Sequence, residues 1–304
     1  MTLRNRRVIT SLLLAAIVIL PHSRTWAGDA RAPQLVAPPR LAAERPKEPA
    51  MMKPAIEIAP EVATLVGRQV FLNETGGDRD MITAWNAAED FMSLGIGHFI
   101  WFPAGLKVRF KESFPAMLAY LRSHGAKPPS WLDRGPAPPC PWANRTEFGR
   151  AFRSRQMSEL REFLHGTVGL QVSYLVERMK AALPKILKSL ETDAERNHVK
   201  RQFYRVVGAS PDLYPLIDYI NFKGEGIVAS ESYPNIETGV REGWGLKHVL
   251  LEMTGQSTSR DDVLGEFSDA AGYVLKRRIR NNPPNRRWQA GWLKRTETYR
   301  RPLL

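Results

Sequence analysis

The 304-residue sequence contains a single cysteine, Cys140, so no disulfide can form within the chain. It has no CxxC pair and no HExxH-type pair of histidines. These absences exclude a disulfide scaffold and a structural zinc site. We therefore predict neither a metal nor another cofactor, and we expect the Cys140 thiol to be half-buried and unreactive.

The sequence also lacks a hydrophobic run of the length that a membrane-spanning helix needs. The apolar run Val8–Leu20 has 13 residues, whereas a spanning helix needs about 20. Basic residues precede this run, and the small-residue site Thr25-Trp26-Ala27 follows it. This layout is typical of a secretory signal peptide over residues 1–27, with a retained anchor as the less favoured alternative. We therefore predict a periplasmic or secreted protein.

Acidic residues are few relative to basic ones, because 31 Asp and Glu stand against 44 Lys and Arg, a net charge of +13. Residues 1–27 carry four arginines and no acid, so removing them leaves +9. Such a surface attracts polyanions. For an exported protein we expect contact with anionic wall polymers or membrane surfaces rather than nucleic acid. The basic run Lys276–Arg301 is interpreted mainly as a solvated helix face.

The composition, with 43% hydrophobic and 25% charged residues, is that of a globular protein. Residues 28–60 are rich in proline and alanine, which is typical of an extended tether. One domain is predicted over 61–304, with a small lobe at about 61–126 and a helical lobe at about 143–304. The proline-rich stretch Lys127–Trp142 is predicted to be the loop between the lobes.

In the small lobe, apolar residues at helical spacing predict a helix over Glu61–Leu72 that ends at Gly76-Gly77. Glycines alternate with large apolar residues over Leu94–Phe102, which predicts a short strand. Val108–Phe110 is predicted to pair back onto it as a hairpin. The fold class predicted is therefore α+β and predominantly helical.

The larger lobe is predicted to be helical throughout. An apolar stripe runs from Leu160 to Met179 and ends before Pro184, which predicts one long helix. Thr192 and Glu195 form the pattern of a capping box at the start of another. Further helices are predicted over Leu213–Lys223, Trp244–Met253 and Asp261–Arg280.

Glu74 follows the last apolar position of the first predicted helix, where unpaired carbonyls leave partial negative charge. A carboxyl group there resists ionisation, and packing against aromatic side chains would retain its proton near neutral pH. A retained proton is what a general acid needs to cleave a glycosidic bond. From these residues alone, a solvated glutamate before a turn is the favoured alternative.

Three segments, in order, resemble those of phage-type lysozymes, the endolysin muramidases of the lysozyme-like superfamily. They are Glu74 with Ser93-Leu94-Gly95-Ile96-Gly97-His98; Ile217–Glu225; and Asn281–Arg287 with Gly291–Arg295. The resemblance spans most of the chain after residue 60, with insertions. It implies a two-lobed lysozyme-like fold with a small β-hairpin in the N-terminal lobe, and cleavage of the glycan strands of peptidoglycan.

The resemblance also implies roles for individual residues. Glu74 would be the general acid, and Ser93 stands where the family has a threonine on the catalytic face. The family's catalytic aspartate falls on Ala87, so Glu89 or Asp90 is predicted to supply the second carboxylate. Without that base a lytic transglycosylase remains the alternative to a muramidase, because the sugar's own hydroxyl can then attack.

Substrate contacts are predicted for Trp85, His98 and Trp101, which flank Glu74 and the hairpin. Tryptophan faces suit the apolar faces of sugar rings, although a core position is the alternative for each. In the family, the position of His98 is structural.

Two other functions stay open at this stage. The displaced second carboxylate favours a non-catalytic periplasmic peptidoglycan-binding protein that has kept a lysozyme-like cleft. The basic C-terminal run favours a binder of membrane surfaces or, less so, of nucleic acid. In each case we expect a monomer.

Overall fold

A computed structural model of the protein describes residues 56–108 and 111–304. The predicted signal peptide and nearly all of the predicted tether lie outside these residues, as does most of Val108–Phe110. The described part is mostly helical, with small antiparallel sheets, which confirms the α+β, predominantly helical class. Its α-helices are α1 (Pro60–Thr75), α2 (Phe114–Ser123), α3 (Arg145–Ala151), α4 (Arg155–Gly166), α5 (Val168–Lys188), α6 (Asp193–Ala209), α7 (Tyr214–Lys223), α8 (Leu246–Glu252), α9 (Arg260–Asn281) and α10 (Gln289–Glu297).

Helix α1 brings Glu74 to its last turn. It begins with a proline and ends at Gly76, whose backbone is left-handed (φ 66°) and whose N–H donates to the Leu72 carbonyl. Its packing against α5 is close, because a Cβ on Gly67 would lie 2.6 Å from Val168 Cγ1. The predicted stop at Gly76-Gly77 is confirmed.

The first sheet has three antiparallel strands in the order β1 (Thr83–Ala84), β2 (Met92–Leu94) and β3 (Phe99–Trp101). The prediction of one strand over Leu94–Phe102 is therefore wrong. Residues 95–98 form the turn between β2 and β3, and both Gly95 (φ 74°) and His98 (φ 46°) have left-handed backbones. A left-handed residue cannot continue a strand, so the chain reverses here.

The predicted long helix Leu160–Met179 is divided in two, and its second part continues through Pro184. The break falls at Thr167, whose hydroxyl donates to the Phe163 carbonyl at 2.8 Å. The side-chain amide of Gln171 donates to the Leu164 carbonyl at 2.7 Å. Side chains thus satisfy carbonyls that the break leaves without helical partners.

Several of the other described helices follow their local signals closely. The capping box of Thr192 and Glu195 is present at the start of α6, and Gly224 ends α7. The sequence analysis missed α3, α10 and a second hairpin formed by β4 (Ser232–Pro234) and β5 (Arg241–Gly243).

One cluster of buried apolar side chains runs from α1 to Tyr299, close to the C-terminus. The proline-rich loop joins it, because Leu132 and Trp142 are buried in the same cluster. The regions predicted as two lobes therefore share a continuous core. Across 56–108 and 111–304, no helix combines the length and the apolar character needed to cross a bilayer.

Candidate active site

Glu74 lies in the last turn of α1, and two basic side chains contact its carboxylate. Its Oε1 accepts a hydrogen bond from Arg295 Nη2 at 2.7 Å, and its Oε2 lies 3.4 Å from His98 Nδ1. The Glu74 side chain is 16% exposed, so it is partly shielded from solvent. The sequence predicted an aromatic environment for this acid, whereas a guanidinium and an imidazole hold it.

Arg295 belongs to α10 and forms a two-point ion pair with Asp218 of α7. Its Nε and Nη2 donate to the two Asp218 oxygens, each at 2.8 Å. Both side chains are buried, with 7% and 0% exposed. Burial opposes the charge of Arg295, but Asp218 and Glu74 raise its pKa well above the usual value. The guanidinium is thus a fixed cation against which Glu74 is oriented.

Asp218 is in turn held by polar groups from two further elements. Tyr299 donates its hydroxyl to Oδ2 at 2.6 Å, and Asn73 Nδ2 lies 3.3 Å from Oδ1. Asn73 also donates to the Tyr214 hydroxyl at 2.8 Å. Burial and the Asp218 charge raise the pKa of Tyr299 well above its usual value, so this phenol remains a donor. The network therefore fixes Asp218, the buried partner of Arg295.

His98 turns the hairpin and faces a groove of about 670 Å³. We call it the His98 groove. Residues of the turn, of α5 and of the segment that begins in α7 line it, among them Gly97, His98, Ile100, Tyr174, Asn221 and Glu231. The other ring nitrogen of His98, Nε2, is buried and has no hydrogen-bond partner among the described residues.

Three carboxylates that line the His98 groove, Glu112, Glu225 and Glu231, were not singled out from the sequence, and two of them follow α7. Glu231 Oε2 accepts hydrogen bonds from the backbone N–H groups of Gly226 (2.6 Å) and Ile227 (2.9 Å), while burial raises the pKa of this acid. Glu225 pairs with Lys185 at 2.8 Å. Both lie after the central helix, where sequence spacing gives no indication of proximity to the hairpin.

Ser93 lies at the centre of β2, opposite Ala84 on β1 and Ile100 on β3. Residues directly opposite each other in an antiparallel sheet share a face. Ser93 is therefore on the sheet face of Ile100, which lines the His98 groove, although its side chain is itself buried.

Glu89 and Asp90 are in the loop between β1 and β2, at the other end of β2 from His98. They line a separate cavity of about 750 Å³ together with Trp85 and Arg145. The three residues of β2 alone span roughly 10 Å. The structure does not bring either acid to Glu74, which corrects the prediction that one of them assists it. Glu89 Oε2 instead accepts a hydrogen bond from Asn86 at 2.9 Å.

The two predicted sugar-stacking tryptophans are core residues. Trp101 is completely buried, and its indole N–H donates to the Pro138 carbonyl at 2.8 Å. Trp85 is 6% exposed and donates to the Glu89 carbonyl at 2.7 Å, on the side of the second cavity. The prediction that they line a cleft beside Glu74 is wrong. For Trp101 the reason is that the alternating pattern of the hairpin did not reveal which face is covered, and Trp85 instead lines the second cavity.

The sequence analysis missed Arg295 and Asp218 as site residues. Arg295 lies in the basic run that was interpreted as a solvated face. Asp218 is a charged residue among the apolar residues of α7, and an acid in such a helix needs a buried partner. That position was a signal, as was the place of both residues in the segments that resemble phage-type lysozymes.

The Cys140 thiol lies at the second cavity but is buried, which raises its pKa to about 12. This agrees with the expectation of an unreactive thiol. Comparisons of the chain with family models, curated proteins and solved structures found no significant match.

Proposed function

We propose that this protein cleaves the glycan strands of peptidoglycan, with Glu74 as the proton donor. The observation that carries the proposal is the convergence of the three lysozyme-resembling segments on one carboxylate. His98 from the first, Asp218 from the second and Arg295 from the third form one connected set of contacts with Glu74. Glu74 and Arg295 are 221 residues apart in the sequence.

The cost of burying charge supports a functional role for this network. A buried ion pair is often no more stabilising than apolar residues of the same size, so its presence calls for another reason. In this protein the buried pair of Arg295 and Asp218 presents a rigid guanidinium to Glu74 Oε1. Glu74 Oε2, which has no guanidinium contact, is the oxygen that we propose carries the reactive proton.

Glu74 does not itself line the His98 groove, but its Oε2 lies 3.4 Å from His98, which does. In the proposed reaction, a glycan bound along the groove therefore reaches Glu74 Oε2 beside His98. The proton moves to the glycosidic oxygen as the bond to the anomeric carbon breaks. In a muramidase, water adds to the anomeric carbon and gives its proton to a second carboxylate. In a lytic transglycosylase, the sugar's own hydroxyl adds and gives its proton back to Glu74.

The separation of Glu89 and Asp90 from Glu74 favours the transglycosylase route. An inverting hydrolase needs its two carboxyl groups about 6.5–9.5 Å apart, and β2 stands between these acids and the hairpin turn. Glu231 and Glu225, which line the His98 groove, are the acids that we propose for a hydrolytic route. Ser93 would position the reacting hydroxyl or water.

The remaining parts of the proposal rest on the sequence. We propose a lysozyme-like two-lobed arrangement around the His98 groove. We also propose export to the periplasm or the exterior through the signal-peptide layout of residues 1–27. A monomer that contacts anionic wall material through its positive charge fits both proposals.

The test is solubilisation of purified sacculi by the wild-type protein and by Glu74→Gln. Loss of a general acid lowers rates by about 10²–10⁴-fold, so we expect the variant to lose activity and keep sacculus binding. Glu89→Gln and Asp90→Asn are the matched controls and should retain activity. Mass spectrometry of the products distinguishes anhydro ends from reducing ends.

Two results would contradict this proposal. Full activity in Glu74→Gln would remove Glu74 from the chemistry. Binding of sacculi by the wild-type protein without any release of fragments would favour the non-catalytic binding protein. The ion pair that already occupies Glu74 Oε1 is the observation in favour of that second candidate.

A further inference from the structure

A second group of basic side chains lies next to Arg295, stacked on aromatic rings. Lys223 Nζ is 3.7 Å from the ring centres of both Phe222 and Trp292. Arg278 Cζ is 3.8 Å from the Trp244 ring and 4.9 Å from that of Trp292. The Trp292 ring therefore has two cations from different helices, α7 and α9, against it.

These two cations lack the acidic partners that other arginines of the protein have. Arg205 pairs with Glu266 and Arg277 pairs with Glu252. Within the described residues, by contrast, no carboxylate oxygen lies within 4 Å of a side-chain nitrogen of Lys223 or Arg278. Arg278 does hydrogen-bond the Tyr233 side chain, but its buried Nε has no hydrogen-bond partner in the described part of the chain.

The surroundings penalise the positive charge of both side chains. Burial lowers the pKa of Lys223 well below its usual value, and the nearby charges of Arg278 and Arg295 lower it further, while Glu74 acts in the opposite direction. Burial also lowers the pKa of Arg278. A partly desolvated cation pair without a counter-charge gains most from an anion placed between its members.

The position of this pair links it to the His98 groove. Asn221 and Gly224 line the groove, and Lys223 lies between them in the chain on the same helix. Arg295 packs its guanidinium 4.1 Å from the Phe222 ring, on which Lys223 is also stacked. Lys223 and Arg278 are not themselves among the residues that line the groove. Lys223 adjoins that lining in the chain, and Arg278 is joined to Lys223 through the Trp292 ring.

We propose that Lys223 and Arg278 form a carboxylate-binding site that recognises the acidic peptide stem carried by the glycan. The identity of the ligand rests on the proposed function, whereas the anion site itself does not. A guanidinium and an ammonium group together offer several charge-assisted hydrogen bonds to one carboxylate. The Trp292 ring supplies the apolar wall.

Calorimetric titration of the full-length protein tests the site with three probes. They are a disaccharide carrying an acidic peptide stem, N-acetylated L-alanyl-D-isoglutamate without sugar, and neutral chitotetraose. We expect Lys223→Met and Arg278→Gln to weaken binding of the two acidic probes about ten- to hundredfold, as loss of a charge-assisted hydrogen bond does. Chitotetraose binding should change less than twofold. Lys276→Met, an exposed lysine on α9, is the matched control and should resemble the wild type.

A second readout separates anion binding from a merely structural role. Binding of the acidic peptide should weaken as the salt concentration rises, because salt screens attraction between charges, whereas binding of neutral chitotetraose should not. This salt dependence should be weaker in Lys223→Met. Inorganic phosphate in place of the peptide distinguishes a general anion site, which binds both, from one selective for carboxylates.

The proposal is overturned if both variants bind the acidic probes as the wild type does, or if Lys276→Met weakens them equally. It is also overturned if the variants weaken chitotetraose as much as the acidic probes. Binding of the acidic peptide that depends on Lys223, in a protein inactive on sacculi, would retain the anion site and reject the proposed function. Conversely, activity on sacculi that depends on Glu74, without Lys223-dependent binding of the acidic peptide, would retain the proposed function and reject the anion site.

Discussion

Two acid-bearing regions lie at opposite ends of β2, and they differ in how their carboxylates are held. Glu74 is oriented by a buried arginine that is itself fixed by Asp218. Asp90 is exposed, and Glu89 contacts the exposed side chain of Asn86. Similar side chains thus occur in a rigid and in a solvated setting. Precise positioning comes from tertiary contacts and not from the residue type.

Breaking the buried ion pair should give the largest difference between the two regions in the free energy of unfolding. Asp218→Asn removes the fully buried carboxylate from Arg295 and leaves Glu74 as its acidic partner. Breaking a buried pair destabilises a protein by about 3–5 kcal/mol, and we expect the lower end of that range. Urea unfolding followed by circular dichroism measures the change in free energy. Asn86→Ala is the matched control at the other end of β2 and should change stability by less than about 0.5 kcal/mol. Equal effects would show that the network does not stabilise the Glu74 region.

Lowering the pH should give the second-largest difference in stability between the two regions. The reason is that His248 supports the segment next to the His98 groove. Burial, with Lys247 and Arg277, lowers the pKa of His248 to about 4. An unfolded histidine titrates near 6.5. The folded state therefore resists protonation, so the stability present above about pH 6.5 is lost as the pH falls towards 4. The loss from this group is about 3 kcal/mol.

Unfolding free energies at pH 7 and at pH 4.5 measure this loss. The difference between them should be smaller in His248→Leu than in the wild type. His124 is exposed, so His124→Leu should keep the wild-type difference. An unchanged difference in His248→Leu would assign the acid sensitivity to other groups.

The smallest expected difference in stability is between alanine variants of two left-handed glycines. These are Gly95 in the hairpin turn and Gly105 at the second cavity. A Cβ on Gly95 would lie 2.5 Å from Gln171 Oε1, whereas nothing lies within 4 Å of one on Gly105. Gln171 is buried and accepts from Ile96 N–H at 3.0 Å, so it cannot easily move. Both alanine variants incur the left-handed penalty of about 1 kcal/mol.

Gly95→Ala should therefore be less stable than Gly105→Ala by a further 1–2 kcal/mol or so, the typical effect of overpacking. Thermal unfolding of the two variants side by side measures this difference. Identical melting temperatures would mean that the turn adapts to a side chain and is less rigid than the contacts of Gln171 indicate.

Local signals predicted much of the fold. The glycines after Glu74, the capping box at Thr192 and the glycine after α7 each act within one turn of a helix, so the sequence is sufficient to locate them. The break at Thr167 was not predictable in this way, because the apolar stripe continues across it and hydrogen bonds from two side chains stabilise it.

The site was only half predictable for the same reason. Glu74 and His98 could be selected from their motif, and the structure brings them within 3.4 Å. The contact of Arg295 with Asp218 joins residues 77 positions apart and depends on how α7 and α10 pack. Trp101 was misassigned because strand alternation identifies two faces without revealing which one the helices cover.

The buried position of Cys140 has a practical consequence. It is the one thiol in the chain, and it is held inside the fold in its protonated form. A cysteine introduced at an exposed residue would therefore be the only site that reacts with a maleimide or a spin label. Pairs of such labels on either side of the hairpin would report opening of the groove in solution, with no need to remove the native residue first.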